Sequence, residues 1–178
     1  RLVGTSVFAR TVVVATGPWI RELAPGFPVR PVRQHVGYWR LPGAGPATTP
    51  AWVHLGREGL HYGLPTVAGG EMKAAFHAAG EGEGDNPGHP GDDHLPPSPA
   101  DGARVAAVDA ALRGWFGPVL GGLSRVETCF YTVAAGDEFL GSWTSERVYA
   151  ISACSGHAFK LAPLTGERVA DEVIARLG

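Results

Sequence analysis

The sequence contains little lysine and little cysteine. Only Lys73 and Lys160 are lysines among fifteen basic residues, and the two cysteines are Cys129 and Cys154. Two cysteines are too few for the disulfide framework of a small secreted domain, and without a Cys-x-x-Cys pair we exclude dithiol redox chemistry. Because the first residues also lack the pattern of a signal peptide, we expect a cytoplasmic protein.

Several signatures of other functions are missing too. No stretch approaches the roughly 18 consecutive apolar residues of a membrane-spanning helix, and a net charge of −2 does not indicate a nucleic-acid-binding surface. We therefore expect neither a membrane nor a nucleic acid as partner. The sequence also contains no Gly-x-Ser-x-Gly, no Walker loop and no Gly-x-Gly-x-x-Gly, so it carries none of the common nucleophile or phosphate-binding motifs.

The order of predicted elements indicates an α+β fold. A β-branched strand ends at Gly17, and continuous apolar strands of this kind are typically buried on both faces of a parallel sheet. Because no strand–helix unit precedes this strand, we interpret the chain as the C-terminal portion of a longer protein. Short strands and tight turns between Val29 and Ala78 then predict an antiparallel meander. The remaining predicted elements are helices over Ser98–Phe116 and Leu164–Leu177 and strands over Arg125–Val133 and Arg147–Ala153.

The segment between residues 80 and 99 is acidic and rich in Gly and Pro, which predicts a loop. Its potential metal ligands include His89, Asp92, Asp93 and His94. Their spacing is not distinctive of a metal site, so we predict a solvated loop and no metal.

Lys73 belongs to a predicted cluster of polar side chains on one sheet face. In a strand, Lys73 and His77 lie on the same side, and Tyr62 of the preceding strand can pair across that surface. Burial can lower the pKa of lysine, whereas arginine stays charged. Because this chain uses arginine at almost every basic position, its two lysines are candidates for positions that need amine chemistry. The alternative is that the two lysines were retained by chance.

A second candidate group lies nearer the C-terminus. Cys129 and Tyr131 alternate in one predicted strand and leave it on the same face; the alternative is that Cys129 is a buried apolar side chain. Ser155-Gly156-His157 follows the last strand and precedes helical sequence that carries Lys160, a junction where backbone N–H groups favour anions.

These segments resemble one known family. CFYT from Cys129, SGHAFK from Ser155, YGLP from Tyr62 and the Lys73-x-x-x-His77 pair are similar to motifs of the flavin-dependent amine oxidases of the monomeric sarcosine oxidase and N-methyltryptophan oxidase type. VVVATGPW, which ends at Trp19, and PVRQ from Pro31 also resemble that family. The similarity covers nearly the whole chain in one order.

The resemblance implies a function for each candidate residue. Cys129 matches the position of covalent flavin attachment, and Lys73 matches a lysine that promotes the reaction of reduced flavin with oxygen. Tyr62 and Tyr131 match tyrosines that line the substrate face, and His77 matches an active-site histidine. Lys160 matches a lysine that contacts the substrate carboxylate, while Gly17, Ser155, Gly156 and His157 match segments beside the bound FAD.

The implied protein is the C-terminal part of an FAD-dependent oxidase of secondary N-methyl amino acids, with oxygen as reoxidant and hydrogen peroxide as product. We expect residues 1–28 and 143–178 to be C-terminal remnants of a Rossmann-like FAD-binding domain. Residues 29–142 would form a substrate domain, an antiparallel or mixed sheet with helices on one face.

The family's N-terminal FAD-binding segment is not in this sequence, and Gly141-Ser142 departs from the family pattern. The alternatives are a catalytically silent fragment that acts as a structural or binding module, and a flavin dehydrogenase.

Overall fold

The computed structural model describes residues 6–45, 47–77, 99–152 and 155–178, with the backbone alone for residues 99–101. The chain divides into two compact units, one formed by Arg1–Pro31 with Tyr131–Gly178 and the other by Val32–Phe130. In chain order the elements are β1 (Val12–Val14), α1 (Ile20–Leu23), β2 (Arg30–Arg40), β3 (Trp52–Gly56), β4 (Gly59–Pro65), β5 (Glu71–His77), α2 (Pro99–Phe116), β6 (Leu123–Val133), β7 (Leu140–Trp143), β8 (Val148–Ser152) and α3 (Ala162–Leu177).

A five-stranded sheet with the order β3–β4–β5–β2–β6 forms the framework of the Val32–Phe130 unit. The pairs β3–β4, β4–β5 and β2–β5 are antiparallel, so the predicted meander is present. Arg57 and Glu58 form the turn of the hairpin that joins β3 and β4. Because side chains alternate along each strand, the sheet presents two chemically different faces.

Helix α2 covers one face of this sheet. Val108 and Leu112 pack in a buried cluster with Trp39, Met72 and Ala74 of β2 and β5, as the i, i+4 spacing of apolar residues predicts. The Trp39 indole N–H donates a hydrogen bond of 2.7 Å to Oδ1 of Asp109 in α2, which fixes the helix against the sheet. Helix α2 is thus held on this face by apolar burial and by one polar contact.

The other unit contains a three-stranded sheet with the order β1–β8–β7. Strands β1 and β8 are parallel, with Val12 opposite Val148, and β7 is antiparallel to β8. The prediction that β1 is buried on both faces is wrong, since Val12 and Val13 are 49% and 42% exposed, because β1 is an edge strand of this sheet. Strand β7 was not predicted, since its four residues carry no apolar alternation.

At the level of fold class, the structure is the predicted α+β arrangement, with two sheets and three α-helices among the described residues. The prediction that the Arg1–Pro31 and Tyr131–Gly178 unit is what remains of a Rossmann-like domain stays a prediction, as do the domain boundaries. Within the described part of the chain, no helix is both long enough and apolar enough to cross a membrane.

His61 is buried on the helix-covered face. Its ring centroid lies 4.9 Å from that of Phe76 and 5.2 Å from that of Trp115 in α2, and its Nδ1 has no hydrogen-bond partner among the described residues. Burial lowers the pKa of His61 and nearby His54 lowers it further, while Glu58 opposes the shift. A neutral imidazole is therefore favoured in the folded state.

We expect acid to destabilise the fold through His61. Between the ordinary pKa of 6.5 and the lowered folded value, the unfolded chain binds more protons, so the free energy of unfolding falls as the pH drops through this window. Urea unfolding followed by tryptophan fluorescence at about pH 7.5 and about pH 5.5 measures this fall. His61→Phe is expected to reduce it, and an identical fall in this variant would contradict the assignment.

Candidate active site

Tyr62, Lys73 and His77 lie on the sheet face opposite α2, which we call the Lys73 face. Tyr62 pairs with Ala75, which lies between Lys73 and His77 in β5, so the tyrosine has both residues as diagonal neighbours. Tyr62 and Ala75 pack with Val36 and Tyr38 of β2. The structure therefore brings together three predicted site residues, as strand alternation indicates.

Two residues that the sequence reasoning missed complete this face. Tyr38 lies directly opposite Lys73 in the β2–β5 pair, and its hydroxyl donates a hydrogen bond of 2.7 Å to Oε2 of Glu127 in β6. The signal that could have found Glu127 is its position two residues before Cys129, which places both side chains on one face of β6.

Arg125 holds the Glu127 carboxylate and the Tyr38 ring together. Its Nε donates to Oε1 of Glu127 at 3.2 Å, and its guanidinium carbon lies 3.6 Å from the centroid of the Tyr38 ring, within the range of a cation–π contact. The hydrogen bond from Tyr38 is the largest cause of a lowered pKa at Glu127, followed by the hydrogen bond from Arg125 and then by the charges of Arg125 and Lys73. The Glu127 carboxyl is thus ionised at neutral pH.

Cys129 carries an exposed thiol in β6. The alternative interpretation, a buried apolar cysteine, is therefore wrong. Among the described strands, β6 lies at the edge of its sheet, where fewer neighbours cover a side chain. An exposed thiol on the same strand face as Glu127 is accessible to a reagent or a cofactor.

Tyr131 packs against the turn at Ser155 and Gly156 in the unit that contains the chain's C-terminus. The Ser155 backbone N–H donates to the Thr132 carbonyl at 3.0 Å, which joins this turn to the end of β6. A Cβ on Gly156 would lie 2.4 Å from the Tyr131 ring, and Gly156 has a φ of +80°. Glycine is therefore required here for two reasons, steric space and left-handed backbone.

We expect Gly156→Ala to destabilise the protein by about 2 kcal/mol, because the left-handed backbone and the Tyr131 contact each disfavour a Cβ. The matched control is Gly166→Ala in α3, where a Cβ would meet no atom within 4 Å and alanine is expected to stabilise the helix. Urea denaturation of both variants measures the difference. Equal stabilities would contradict the proposed packing of Tyr131.

His157 and Lys160 follow in the same segment. The Nδ1–H of His157 donates to the Ser155 carbonyl at 3.0 Å, which fixes this ring nitrogen as the protonated one. Lys160 lies exposed in a 3₁₀ turn, Phe159–Leu161, directly before α3. The helical sequence predicted to carry Lys160 is therefore a 3₁₀ turn, and the closing helix predicted from Leu164 begins at Ala162. The Ser155 turn is not itself a helix N-terminus.

The carboxyl ends of the parallel strands β1 and β8 carry buried hydroxyl groups. Gly17 begins a 3₁₀ turn directly after β1, with a φ of 54°. The Oγ atoms of Thr16, Ser152 and Ser155 are buried without a hydrogen-bond partner among the described residues. Unpaired buried hydroxyls are unfavourable, and the carboxyl edge of parallel strands is where open α/β sheets bind ligands.

The prediction of a solvated loop without a metal concerns His89, Asp92, Asp93 and His94, which lie outside the described residues. In the described ranges, no group of three or more His, Cys, Asp or Glu residues is arranged to hold a metal ion.

The fold of this chain is also found in solved oxidase structures. Its structure superimposes with a TM-score of 0.69 on the deglycating enzyme fructosamine oxidase from Aspergillus fumigatus, at 16% sequence identity, over 94% of this chain and 42% of that one. The family model described as FAD dependent oxidoreductase matches residues 1–172. The chain belongs to this family.

Named relatives agree with that membership. Human peroxisomal sarcosine oxidase is 28% identical over 171 residues, which cover 89% of this chain and 42% of that protein. N-methyl-L-tryptophan oxidase of Yersinia pestis is 32% identical over 174 residues, with the same two shares. The resemblance expected from the sequence motifs is thereby confirmed, and the chain spans less than half the length of these relatives.

Proposed function

We propose that this chain is the C-terminal part of an FAD-dependent oxidase of secondary N-methyl amino acids. The observation that carries the proposal is the Lys73 face, on which an amine, a phenol and an imidazole lie together at Lys73, Tyr62 and His77. The names of the two relatives, a sarcosine oxidase and an N-methyl-L-tryptophan oxidase, support the choice of substrate class.

The residues present fit FAD. The three buried hydroxyls that have no hydrogen-bond partner among the described residues, at Thr16, Ser152 and Ser155, suit the polar edge of a cofactor. In this proposal, Cys129 attaches the flavin through sulfur, and Gly17, Ser155, Gly156 and His157 contact it. Residues 1–28 and 143–178 then belong to the FAD-binding domain and residues 29–142 to the substrate domain.

The overall reaction converts a secondary amine and oxygen into an imine and hydrogen peroxide, and water then hydrolyses the imine. When bound, FAD supplies the two-electron acceptor that neither the substrate nor the protein provides. Tyr62 and Tyr131 orient the substrate, and the Lys160 ammonium binds its carboxylate. Lys73 contributes a positive charge where oxygen becomes negatively charged as it is reduced.

Amine-dependent peroxide formation tests the proposal. The full-length protein of which we propose this chain to be a part is loaded with FAD and supplied with sarcosine or N-methyl-L-tryptophan, and peroxide and oxygen uptake are measured together. Equal amounts of peroxide formed and oxygen consumed are expected. Flavin reduction by the amine without oxygen uptake would instead identify a dehydrogenase, and no reduction by either amine would overturn the substrate class.

A separate expectation concerns the isolated chain of 178 residues. Because its sequence contains no Gly-x-Gly-x-x-Gly for the pyrophosphate, we expect no stable complex with FAD. Calorimetric titration with FAD measures this, and tight stoichiometric binding would contradict the assignment of the adenosine-binding site to another segment.

A further inference from the structure

We propose that Glu127 is a positioning residue for Lys73, through a carboxylate that fixes the lysine ammonium on the Lys73 face. The proposal rests on the proposed function, since it assigns a partner to the lysine expected to promote reaction with oxygen. It concerns a residue that neither the motifs nor the family resemblance assigned.

The first argument is the position of Lys73 in the sheet. Lys73 in β5 lies directly opposite Tyr38 in β2, and directly opposed antiparallel side chains have Cβ atoms about 5 Å apart. The Tyr38 hydroxyl in turn contacts Glu127 in β6 at 2.7 Å. Three adjacent strands thus carry a lysine, a phenol and a carboxylate on one face of the sheet.

The second argument is that the Glu127 carboxylate is itself held in place. Oε2 accepts from the Tyr38 hydroxyl at 2.7 Å and Oε1 accepts from Arg125 Nε at 3.2 Å. Arg125 is also anchored, since its guanidinium lies over the Tyr38 ring and forms an ion pair with Glu71. A carboxylate with both oxygens bonded loses little further side-chain entropy when it attracts a flexible lysine.

The third argument distinguishes Glu127 from the other acidic residue nearby. Glu71 lies two residues before Lys73 in β5, but its carboxylate is bonded by Ser124 and Arg125 and faces Arg40 and Arg125. Lys73 is not among the charges that affect its pKa. The Lys73 charge does contribute to the lowered pKa of Glu127. The two carboxylates share Arg125, but only Glu127 responds to the charge of Lys73.

The lysine count permits a direct test in the chain itself. Reductive methylation with ¹³C-formaldehyde labels only Lys73, Lys160 and the amino terminus, and Lys160→Arg leaves Lys73 as the single lysine signal. In this background, the Lys73 methyl signal is followed from neutral pH to acid. We expect it to move as Glu127 becomes protonated below the ordinary carboxyl pKa of 4.5.

The same titration is repeated with three variants to identify the group that causes the transition. Glu127→Gln is expected to remove the transition, and Tyr38→Phe to shift it to higher pH, because Tyr38 is the largest cause of the low pKa at Glu127. Glu71→Gln is the matched control on the same face and should retain the transition, although Arg40 and Arg125, which face Glu71, then lose a partner. A transition that persists in Glu127→Gln, or that disappears in Glu71→Gln alone, would overturn the proposal.

The second measurement is kinetic. In the FAD-loaded full-length protein, Glu127→Gln is expected to slow the reaction of reduced flavin with oxygen by about three- to fivefold and to leave flavin reduction by the amine unchanged. A faster reaction with oxygen would show that Glu127 only diminishes the positive charge, which contradicts a positioning role. Absence of any oxygen reaction in the unmodified protein would refute the oxidase function, whereas the titration tests the electrostatic coupling between Glu127 and Lys73 independently.

Discussion

Replacement of Cys129 with serine is expected to abolish covalent attachment of flavin in the full-length protein. Cys129 has an exposed thiol on the outermost strand of its sheet, so a flavin ring can approach the sulfur without rearrangement of the core. A serine hydroxyl is nearly isosteric but far less nucleophilic than a thiolate. The fold should therefore persist while the bond is lost.

Denaturing gel electrophoresis under ultraviolet light, together with intact mass, measures the attachment. The unmodified protein should retain flavin fluorescence in its band and a mass raised by one FAD, whereas Cys129→Ser should lose both. Cys154→Ser is the matched control and should keep them. Flavin that is released freely from the unmodified protein would show that Cys129 is not an attachment point.

The sequence predicted the Lys73 face well because that prediction needs only strand alternation. Once Tyr62 and Lys73 are placed on neighbouring strands, the period of two determines that their side chains share a face. The register that sets Tyr62 opposite Ala75 follows from the short turns that join β3, β4 and β5, which leave little freedom in how these strands pair. Local rules were sufficient here.

Glu127 could not be found in the same way, because its role depends on a pairing between distant segments. Eighty-nine residues separate Tyr38 from Glu127, and no local pattern indicates that β6 lies beside β2. Alternation from Cys129 gives the face on which Glu127 lies but not its neighbour across the sheet. Charged residues in an edge strand are also expected for solubility alone, so their sequence signal is weak.

The exposure of Val12 and Val13 shows a different limit. A β-branched run predicts a strand correctly, but burial depends on how many strands lie on each side of it. Among the strands that the structure describes, β1 has only β8 beside it, and composition does not predict the number of neighbouring strands. A run of apolar β-branched residues is therefore better evidence that a strand forms than that the strand is buried on both faces.

Replacement of Lys73 with methionine is expected to slow the reaction of reduced flavin with oxygen by about a hundredfold or more in the full-length protein. The transfer of the first electron to oxygen creates a negative charge, and a fixed cation beside it stabilises that charge where water is excluded. Methionine keeps the length and the apolar stem of lysine without its charge. Flavin reduction by the amine should change little, since hydride transfer from the substrate needs no cation at Lys73.

Stopped-flow measurement of the two half-reactions separates these effects, and the second lysine of the chain supplies the matched variant. Lys160→Met removes the cation proposed to bind the substrate carboxylate, so it should raise the KM for the amine and leave the oxygen reaction intact. Lys73→Arg should retain part of the rate of the oxygen reaction, because the guanidinium keeps the positive charge but has a different geometry from an ammonium group. If both lysine variants impaired flavin reduction by the amine and neither impaired the oxygen reaction, the charge at Lys73 would have to act on substrate binding instead, and separate roles for the two lysines could not be maintained.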